Sequence, residues 1–139
     1  MKTVGKREKG QNLVEFALIL PVFLLLVVGM AEFGRAWMTR NILTGAAREG
    51  ARVAIVQTNF DDDPSGSKTQ GEIAATAVLG SALIPVPPAT VTVFDPGGSF
   101  PAIQVDVSYQ YSVLLAGFIP GLPDPLILTG TATMRRERY

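Results

Sequence analysis

The balance of apolar and polar positions changes at Ala31. From Leu13 to Ala31 nearly every residue is apolar. At 1.5 Å per residue, a helical run of about 20 residues matches a hydrocarbon core of about 30 Å. Beyond Ala31 charged residues enter, while apolar ones still recur at three- and four-residue spacing as far as Ile55. The pattern predicts one helix from about Asn12 to Val56, whose first part can span a membrane.

Two features inside this predicted helix suggest special packing. Pro21 lacks an N–H and clashes with the preceding turn, so a kink is expected there. Ala46, Gly50 and Ala54 follow the small-x-x-x-small spacing that lets helix backbones approach closely. These small residues can pack against another subunit or under the chain's own domain, and the sequence leaves both uses open.

The rest of the chain predicts a small α+β domain. Thr69 and Glu72 have the form of a capping box that opens a second helix, which Pro85 stops. The apolar face predicted for this helix is Ile73, Ala74, Ala77, Val78, Ala82 and Leu83. Three alternating segments, 90–94, 103–111 and 126–134, predict about three antiparallel strands, with Ile103, Val105, Val107, Tyr109 and Tyr111 on one face.

Charge divides the chain into segments with different surroundings. The leader holds Lys2, Lys6, Arg7 and Lys9, so the positive-inside rule keeps the N-terminus cytoplasmic and sends the rest across the cytoplasmic membrane. The predicted organisation is a basic leader over 1–10, a membrane half of the long helix over 11–31, an extracytoplasmic half over 32–57 and the α+β domain over 58–139.

Composition argues against an enzyme. The chain has no cysteine and no histidine, which removes thiol nucleophiles, imidazole bases and the usual zinc ligands. Its carboxylates outside the 61–63 run are scattered rather than clustered. Twelve basic residues balance twelve acidic ones, which disfavours nucleic acid as a partner. We therefore expect no catalytic residues and no cofactor apart from a possible calcium ion.

Glu15 is a carboxylate within the otherwise apolar run. An acid near the centre of a membrane segment costs about 2.5–3.5 kcal/mol, so such a residue suggests a function. Two plainer interpretations stay open. Glu15 can snorkel to the headgroups from its place near one end of the run. Alternatively, the segment is a cleaved signal peptide whose small-x-small site, Gly29-Met30-Ala31, places the cut before Glu32.

The acidic segment after the long helix has the spacing of a calcium-binding loop. Asp61, Asp63 and Ser65 occupy alternate positions, Gly66 takes the sixth and Glu72 the twelfth. Lys68 stands where such loops carry an apolar residue, and Pro64 stiffens the fourth position. The alternative is a solvated loop in which Glu72 caps a helix.

Three motifs carry a family resemblance. They are Gly10-Gln11-Asn12-Leu13-Val14-Glu15-Phe16-Ala17-Leu18-Ile19-Leu20-Pro21, Glu32-Phe33-Gly34-Arg35-Ala36 and Ala46-Ala47-Arg48-Glu49-Gly50-Ala51-Arg52. Together they closely resemble the N-terminal region of TadE-like proteins, pseudopilins of the tight-adherence branch of type IV pili. The Thr129–Met134 segment is similar in style but less specific.

The resemblance implies a processed subunit of a bacterial surface machine that serves adhesion or secretion. Gly10 followed by Glu15 resembles the site where prepilin peptidase cuts after glycine, which would make Gln11 the new N-terminus. Glu15 of the same or an adjoining subunit can then neutralise the Gln11 ammonium and set axial register. The implied partners are other pilin subunits, the peptidase, the inner-membrane assembly platform and membrane lipid. The competing hypothesis is an anchored or secreted envelope protein whose domain binds a partner or calcium.

Overall fold

The structure, a computed structural model, describes residues 5–56, 64–84, 89–94 and 102–135. Its elements are two helices, α1 (Gly5–Val56) and α2 (Pro64–Ser81), and three strands, β1 (Ala89–Phe94), β2 (Ala102–Tyr111) and β3 (Leu126–Arg135). This arrangement confirms the predicted α+β class, with a long N-terminal helix, a second helix and a three-stranded antiparallel sheet.

Helix α1 ends where the sequence predicts but begins earlier, at Gly5 instead of Asn12. The helix includes part of the basic leader, because lysine, arginine and glutamate all have high helix propensity and the two glycines there, Gly5 and Gly10, flank them. It also continues through Pro21. At 1.5 Å per residue its 52 residues extend about 78 Å, far beyond the domain that it supports.

The two halves of α1 differ in what surrounds them. Over the membrane half (11–31), the side chains are exposed almost without exception. An 18-residue window of α1 has a mean hydropathy of 2.7 and is not buried at all. Burial begins at Glu32 and recurs through the distal half (32–56). Among the described residues, α1 is the one helix long and apolar enough to cross a membrane.

Helix α2 corrects two predictions from the sequence. It begins at Pro64, so Thr69 does not cap it; the Thr69 hydroxyl instead donates to the carbonyl of Ser65, one turn back, at 2.9 Å. Proline suits a first helical turn because its missing N–H has no partner there in any case. The predicted apolar face is also wrong in part: Ile73, Ala77 and Leu83 are exposed, whereas the buried positions are Ser67, Gly71, Ala75 and Leu79.

The sheet has the order β1-β2-β3, and both strand pairs are antiparallel. The predicted face of β2 is confirmed, since Ile103, Val105 and Val107 are almost fully buried. These side chains pack against buried small residues of α1 and against Leu43 and Leu79. The core therefore lies between the sheet on one side and the two helices on the other.

Glycines permit the closest contacts of this core. A Cβ at Gly50 would lie 2.8 Å from the carbonyl oxygen of Gly71, and one at Gly71 would lie 2.9 Å from the Cβ of Ala54. A Cβ at Gly130, in the middle of β3, would overlap the backbone of Leu43 and Thr44. Hence α1 crosses both α2 and β3 at distances that only glycine allows.

These contacts also fix the direction of each element. Gly50 on α1 lies beside Gly71 and Ala75, in the middle of α2, whereas Arg35 and Met38 share a cavity with Ala82 and Ile84, just after the end of α2. Strand β2 begins at the far end of the domain and ends with Tyr111 against Glu32. Both α2 and β2 thus run back along α1 toward its membrane half.

Candidate functional site

The predicted processing site lies on the exposed part of α1. Gly10 is exposed, and a Cβ built there would meet nothing within 4 Å. Gln11 is exposed as well, and the bond between them lies inside the helix. The site is therefore free of the globular domain, which begins its contacts with α1 at Glu32.

Glu15 lies about one turn farther along, on the same unburied stretch of α1. Its neighbours on the helix surface include Leu18 and Ile19, both exposed. Among the side chains that the structure describes, none forms an ion pair with Glu15. A partner for this carboxylate in an apolar setting must come from the leader, a new N-terminus or another molecule.

The small residues of the distal half have a clear use in this structure. Ala46 and Ala54 are fully buried, and Gly50 lies against Gly71. They pack under the chain's own domain, which was one of the two uses that the sequence left open. Between them, exposed Arg52 donates two hydrogen bonds to Glu49, at 3.0 and 2.6 Å, and these bonds lower the pKa of the Glu49 carboxyl.

A polar cluster joins the two halves of α1 to the sheet. Glu32 is only 7% exposed although it is the first charged residue after the apolar run. Its carboxylate accepts a hydrogen bond from Arg35 at 2.6 Å and one from the Tyr111 hydroxyl at 3.2 Å. The Arg35 guanidinium also lies over the Tyr111 ring, 5.4 Å from its centroid. The cluster thus fixes the end of β2 to the helix at one defined level.

The electrostatics of this cluster keep the tyrosine protonated. Burial is the main cause that raises the pKa of Tyr111, and the nearby Glu32 carboxylate adds to it, while Arg35 opposes it. A tyrosine with a raised pKa remains a hydrogen-bond donor across the physiological range. The Glu32 carboxylate accordingly has two donors, which burial of a charged group requires.

A cavity of about 300 Å³ lies beside the cluster, where the end of α2 approaches α1 and the end of β2. Arg35, Tyr109, Tyr111 and Ser112 give it polar walls, and Met38, Ile42 and Ile84 give it apolar ones. The cavity therefore combines a polar side, formed by the cluster and the end of β2, with an apolar side from the helices.

Two residues of the predicted calcium site, Ser65 and Glu72, lie in the described part of the chain, and the site stays a prediction. Ser65 and Glu72 both lie on α2, where seven residues of helix separate them by about 10 Å along the axis. Positions four to twelve of the predicted loop are helical here, whereas a calcium-binding loop turns sharply at its sixth position. Asp61 and Asp63 lie outside the described residues. Within the described residues no group of three or more acids can hold a metal ion.

Comparison with known proteins adds a family to this geometry. Residues 10–52 match the TadE-like protein family. The resemblance drawn from the sequence is thereby confirmed over these residues. No curated protein and no solved structure matches the chain.

The TadE-like segment includes both halves of α1. It contains Gly10 and Glu15 on the exposed half, Glu32 at the boundary, and Gly50 at the crossing with α2. Thus the same 43-residue stretch, 10–52, holds the apolar span and the surface on which the domain packs. The domain itself lies outside the match.

Sequence reasoning missed the partner of Glu32 and the role of two glycines. Glu32 is visible as the first charge after an apolar run, but the pairing with Tyr111 depends on a contact across 79 positions. Gly130 interrupts an alternating strand, and a glycine in that position is a signal that another backbone approaches closely. Gly71 carries no such signal, because it looks like part of a loop or cap.

Proposed function

We propose that this chain is a non-enzymatic minor pilin or pseudopilin of the Tad/Flp type. It is inserted in the cytoplasmic membrane with its N-terminus inside, processed after Gly10 by a prepilin peptidase, and assembled through α1 into a surface pilus or its initiating complex. The proposal extends the TadE-like match, which covers residues 10–52.

The observation that carries the proposal is the fully exposed apolar half of α1. Large side chains such as Phe16, Leu24 and Met30 have no cover within the chain. A surface of this kind is unstable in water, because each buried apolar Å² is worth about 25 cal/mol and none is buried here. The half therefore needs lipid around it first, and in a filament the apolar helices of other subunits can replace the lipid.

Glu15 gives this helix a means of choosing its register. Cleavage after Gly10 creates an ammonium at Gln11, within reach of a carboxylate of the same or a neighbouring subunit. In an apolar bundle an unpaired charge is strongly unfavourable, so helices that align the two charges are selected over those that do not. The absence of an ion pair to Glu15 among the described side chains leaves its carboxylate open to this role.

Gly10→Val tests the processing step. In cells that carry the cognate peptidase, intact mass should show that the wild-type chain begins at Gln11 and that the variant keeps its leader. The matched control is Gly29→Val, on the same exposed half with nothing within 4 Å of its Cβ, which should be processed normally. A variant at Gly10 that still begins at Gln11 would contradict the proposal, as would a wild type that begins at Glu32 or keeps its leader.

Glu15→Ala tests the assembly step. Membrane insertion should be unchanged or improved because a costly charge is removed, whereas incorporation into pili should fall. Glu49→Ala is the control, since it removes an exposed carboxylate from the distal half and should change neither quantity. Equal losses of insertion and incorporation in Glu15→Ala would indicate a misfolded anchor instead.

A further inference from the structure

One end of the globular domain lies at the level where the membrane half of α1 stops. The hydrogen bond from Tyr111 to Glu32 places the end of β2 there. The cavity shared by Arg35, Met38 and Ile84 places the end of α2 there as well. Two separate segments, the end of β2 and the end of α2, therefore meet α1 at the outer end of the apolar span, which makes three segments in all.

Each of these segments exposes large apolar side chains. We refer to the following six residues as the proximal rim: Phe33, Trp37, Leu83, Leu114, Phe118 and Ile119. Phe33 and Trp37 are stacked on α1, with their ring centroids 6.1 Å apart. Farther from this end, Val56 at the end of α1 and Ile73 in the middle of α2 are the large apolar side chains of the two helices that are exposed among the described residues. Exposed apolar groups are thus concentrated on one end of the domain, as is typical of an interaction surface.

The connection between β2 and β3 holds its apolar side chains outward. Its turn is closed by hydrogen bonds from the backbone N–H groups of Phe118 and Ile119 to the carbonyl of Leu115. Asp124 ties the two ends of the connection together by accepting a hydrogen bond from the Val113 N–H at 3.2 Å. Within this closed turn Phe118 is 77% exposed and Leu114 is exposed as well. The connection is organised, yet it buries neither of its largest apolar groups in the domain.

Leu83 gives a second, independent indication. It has a φ of 58°, in the left-handed region that favours glycine. Hydrogen bonds from Leu83 to Gly80 and from Ile84 to Leu79 form the αL turn that ends α2. The side chain is 91% exposed, so no contact within the chain offsets this unfavourable conformation. Leu83 thus adopts a backbone conformation that favours glycine, while its side chain is exposed at the outer end of the apolar span. We take this combination to indicate a contact outside the chain.

We propose that the proximal rim lies in the outer interface of the bilayer that α1 spans, with its apolar side chains inserted at the boundary of headgroups and acyl chains. The proposal rests on the membrane anchoring in the proposed function, not on processing. Aromatic residues such as Phe33 and Trp37 favour this depth, and apolar side chains on a polar body bind there without spanning. The domain then docks on the membrane through three segments instead of extending freely from α1.

Tryptophan scanning in the full chain tests this docking. The chain has a single tryptophan, Trp37, so Trp37→Phe gives a background without one. Three variants are then made in it: Phe118→Trp on the rim, Leu24→Trp in the span and Ile73→Trp in the middle of α2, away from the rim. All three replaced side chains are exposed and apolar, so the fold should tolerate each change. The proteins are reconstituted in phosphatidylethanolamine–phosphatidylglycerol vesicles with or without bromine on the acyl chains.

The rim proposal predicts that brominated lipid quenches the tryptophan at position 118 and the one at 24, but not the one at 73. If brominated lipid quenches the tryptophan at 24 but quenches the one at 118 no more than the one at 73, the rim proposal is overturned. The membrane anchor would then still stand. Loss of quenching at 24 would instead overturn the anchor itself. A blue-shifted emission at 118 that brominated lipid does not quench would mean that another subunit covers the rim, which also overturns the lipid proposal.

Discussion

The two halves of α1 form one continuous helix but have opposite packing. In the membrane half, Leu, Val and Phe predominate and are exposed; in the distal half, Ala46, Ala47, Gly50, Ala51 and Ala54 are buried. The lipid that we propose around the membrane half is a fluid partner that accepts side chains of any shape. The domain is a fixed partner whose helix and strands must approach the α1 backbone closely, which large side chains prevent. Side-chain size along this helix therefore indicates which partner each half has.

Glu32 marks the change from one half to the other. It is both the first charge beyond the apolar run and the first buried position of α1. Its two donors, Arg35 and Tyr111, come from the helix and from the sheet. The end of the membrane half and the beginning of the domain thus coincide at one residue, and the following predictions test this division from both sides.

The largest effect is expected from a small substitution in the distal half. In Gly50→Ala the new Cβ would lie 2.8 Å from the carbonyl oxygen of Gly71, so the helices must separate. We expect the free energy of unfolding to fall by about 1–3 kcal/mol. Gly45→Ala, on the same helix with nothing within 4 Å, should instead raise it by about 0.5–1 kcal/mol. Denaturant unfolding of the full chain in detergent micelles measures both changes. An equal rise in the free energy of unfolding in the two variants would show that α1 and α2 do not cross closely at Gly50.

The second prediction concerns the boundary itself. Tyr111→Phe removes a donor from the buried Glu32 carboxylate, which should cost about 1–2 kcal/mol of the free energy of unfolding at neutral pH. Because the pKa of Tyr111 is raised in the folded chain above its ordinary value near 10, the folded state holds this proton more tightly than the unfolded one. The contribution is therefore complete below about pH 10 and is lost as pH rises through the raised pKa.

The measurement is the difference in free energy of unfolding between wild type and Tyr111→Phe as a function of pH. This difference should be constant around neutrality and shrink in the alkaline range. If the difference in free energy of unfolding stays the same up to strongly alkaline pH, the contribution of Tyr111 does not depend on its titration. No difference at any pH would show that Arg35 alone satisfies Glu32.

A smaller effect, of opposite sign, is expected at Leu83. Because its φ of 58° is unfavourable for leucine, Leu83→Gly in detergent micelles should raise the free energy of unfolding by about 0.5–1 kcal/mol. Leu114→Gly is the control: it removes another exposed leucine of the proximal rim but has no left-handed backbone to relieve, so it should not stabilise the domain. A loss of stability in Leu83→Gly larger than that in Leu114→Gly would mean that Leu83 has a contact within the chain.

The smallest effect is expected from calcium. Because the chain from Pro64 to Glu72 is helical and does not turn at Gly66, the melting temperature of the full chain should be the same in calcium, magnesium and chelator. Asp61→Asn/Glu72→Gln should behave like the wild type in all three. A rise in melting temperature in calcium alone, absent from the variant, would restore the loop that the sequence spacing suggests.

The sequence by itself determined the elements whose signal is local. The apolar run, the end of α1 at Val56 and the alternation in β2 follow from side-chain periodicity, which is imposed by the helix or strand itself. The TadE-like motifs, confirmed over 10–52, belong to the same category, since they are read residue by residue. The beginning of α2 was predicted wrongly, because Thr69 and Glu72 imitate a cap while Pro64, five residues earlier, is an equally good first position.

Only the tertiary structure decided which small residues and which charges matter. Nothing local distinguishes Gly50, which touches Gly71, from Gly45, which touches nothing, or pairs Glu32 with a tyrosine 79 positions away. The apolar face of α2 depended in the same way on where α1 and the sheet approach it, so Ile73 and Leu83 are exposed although their spacing predicts burial. Helix periodicity predicts that one face of α2 is buried, but the packing of the neighbouring elements decides which face that is.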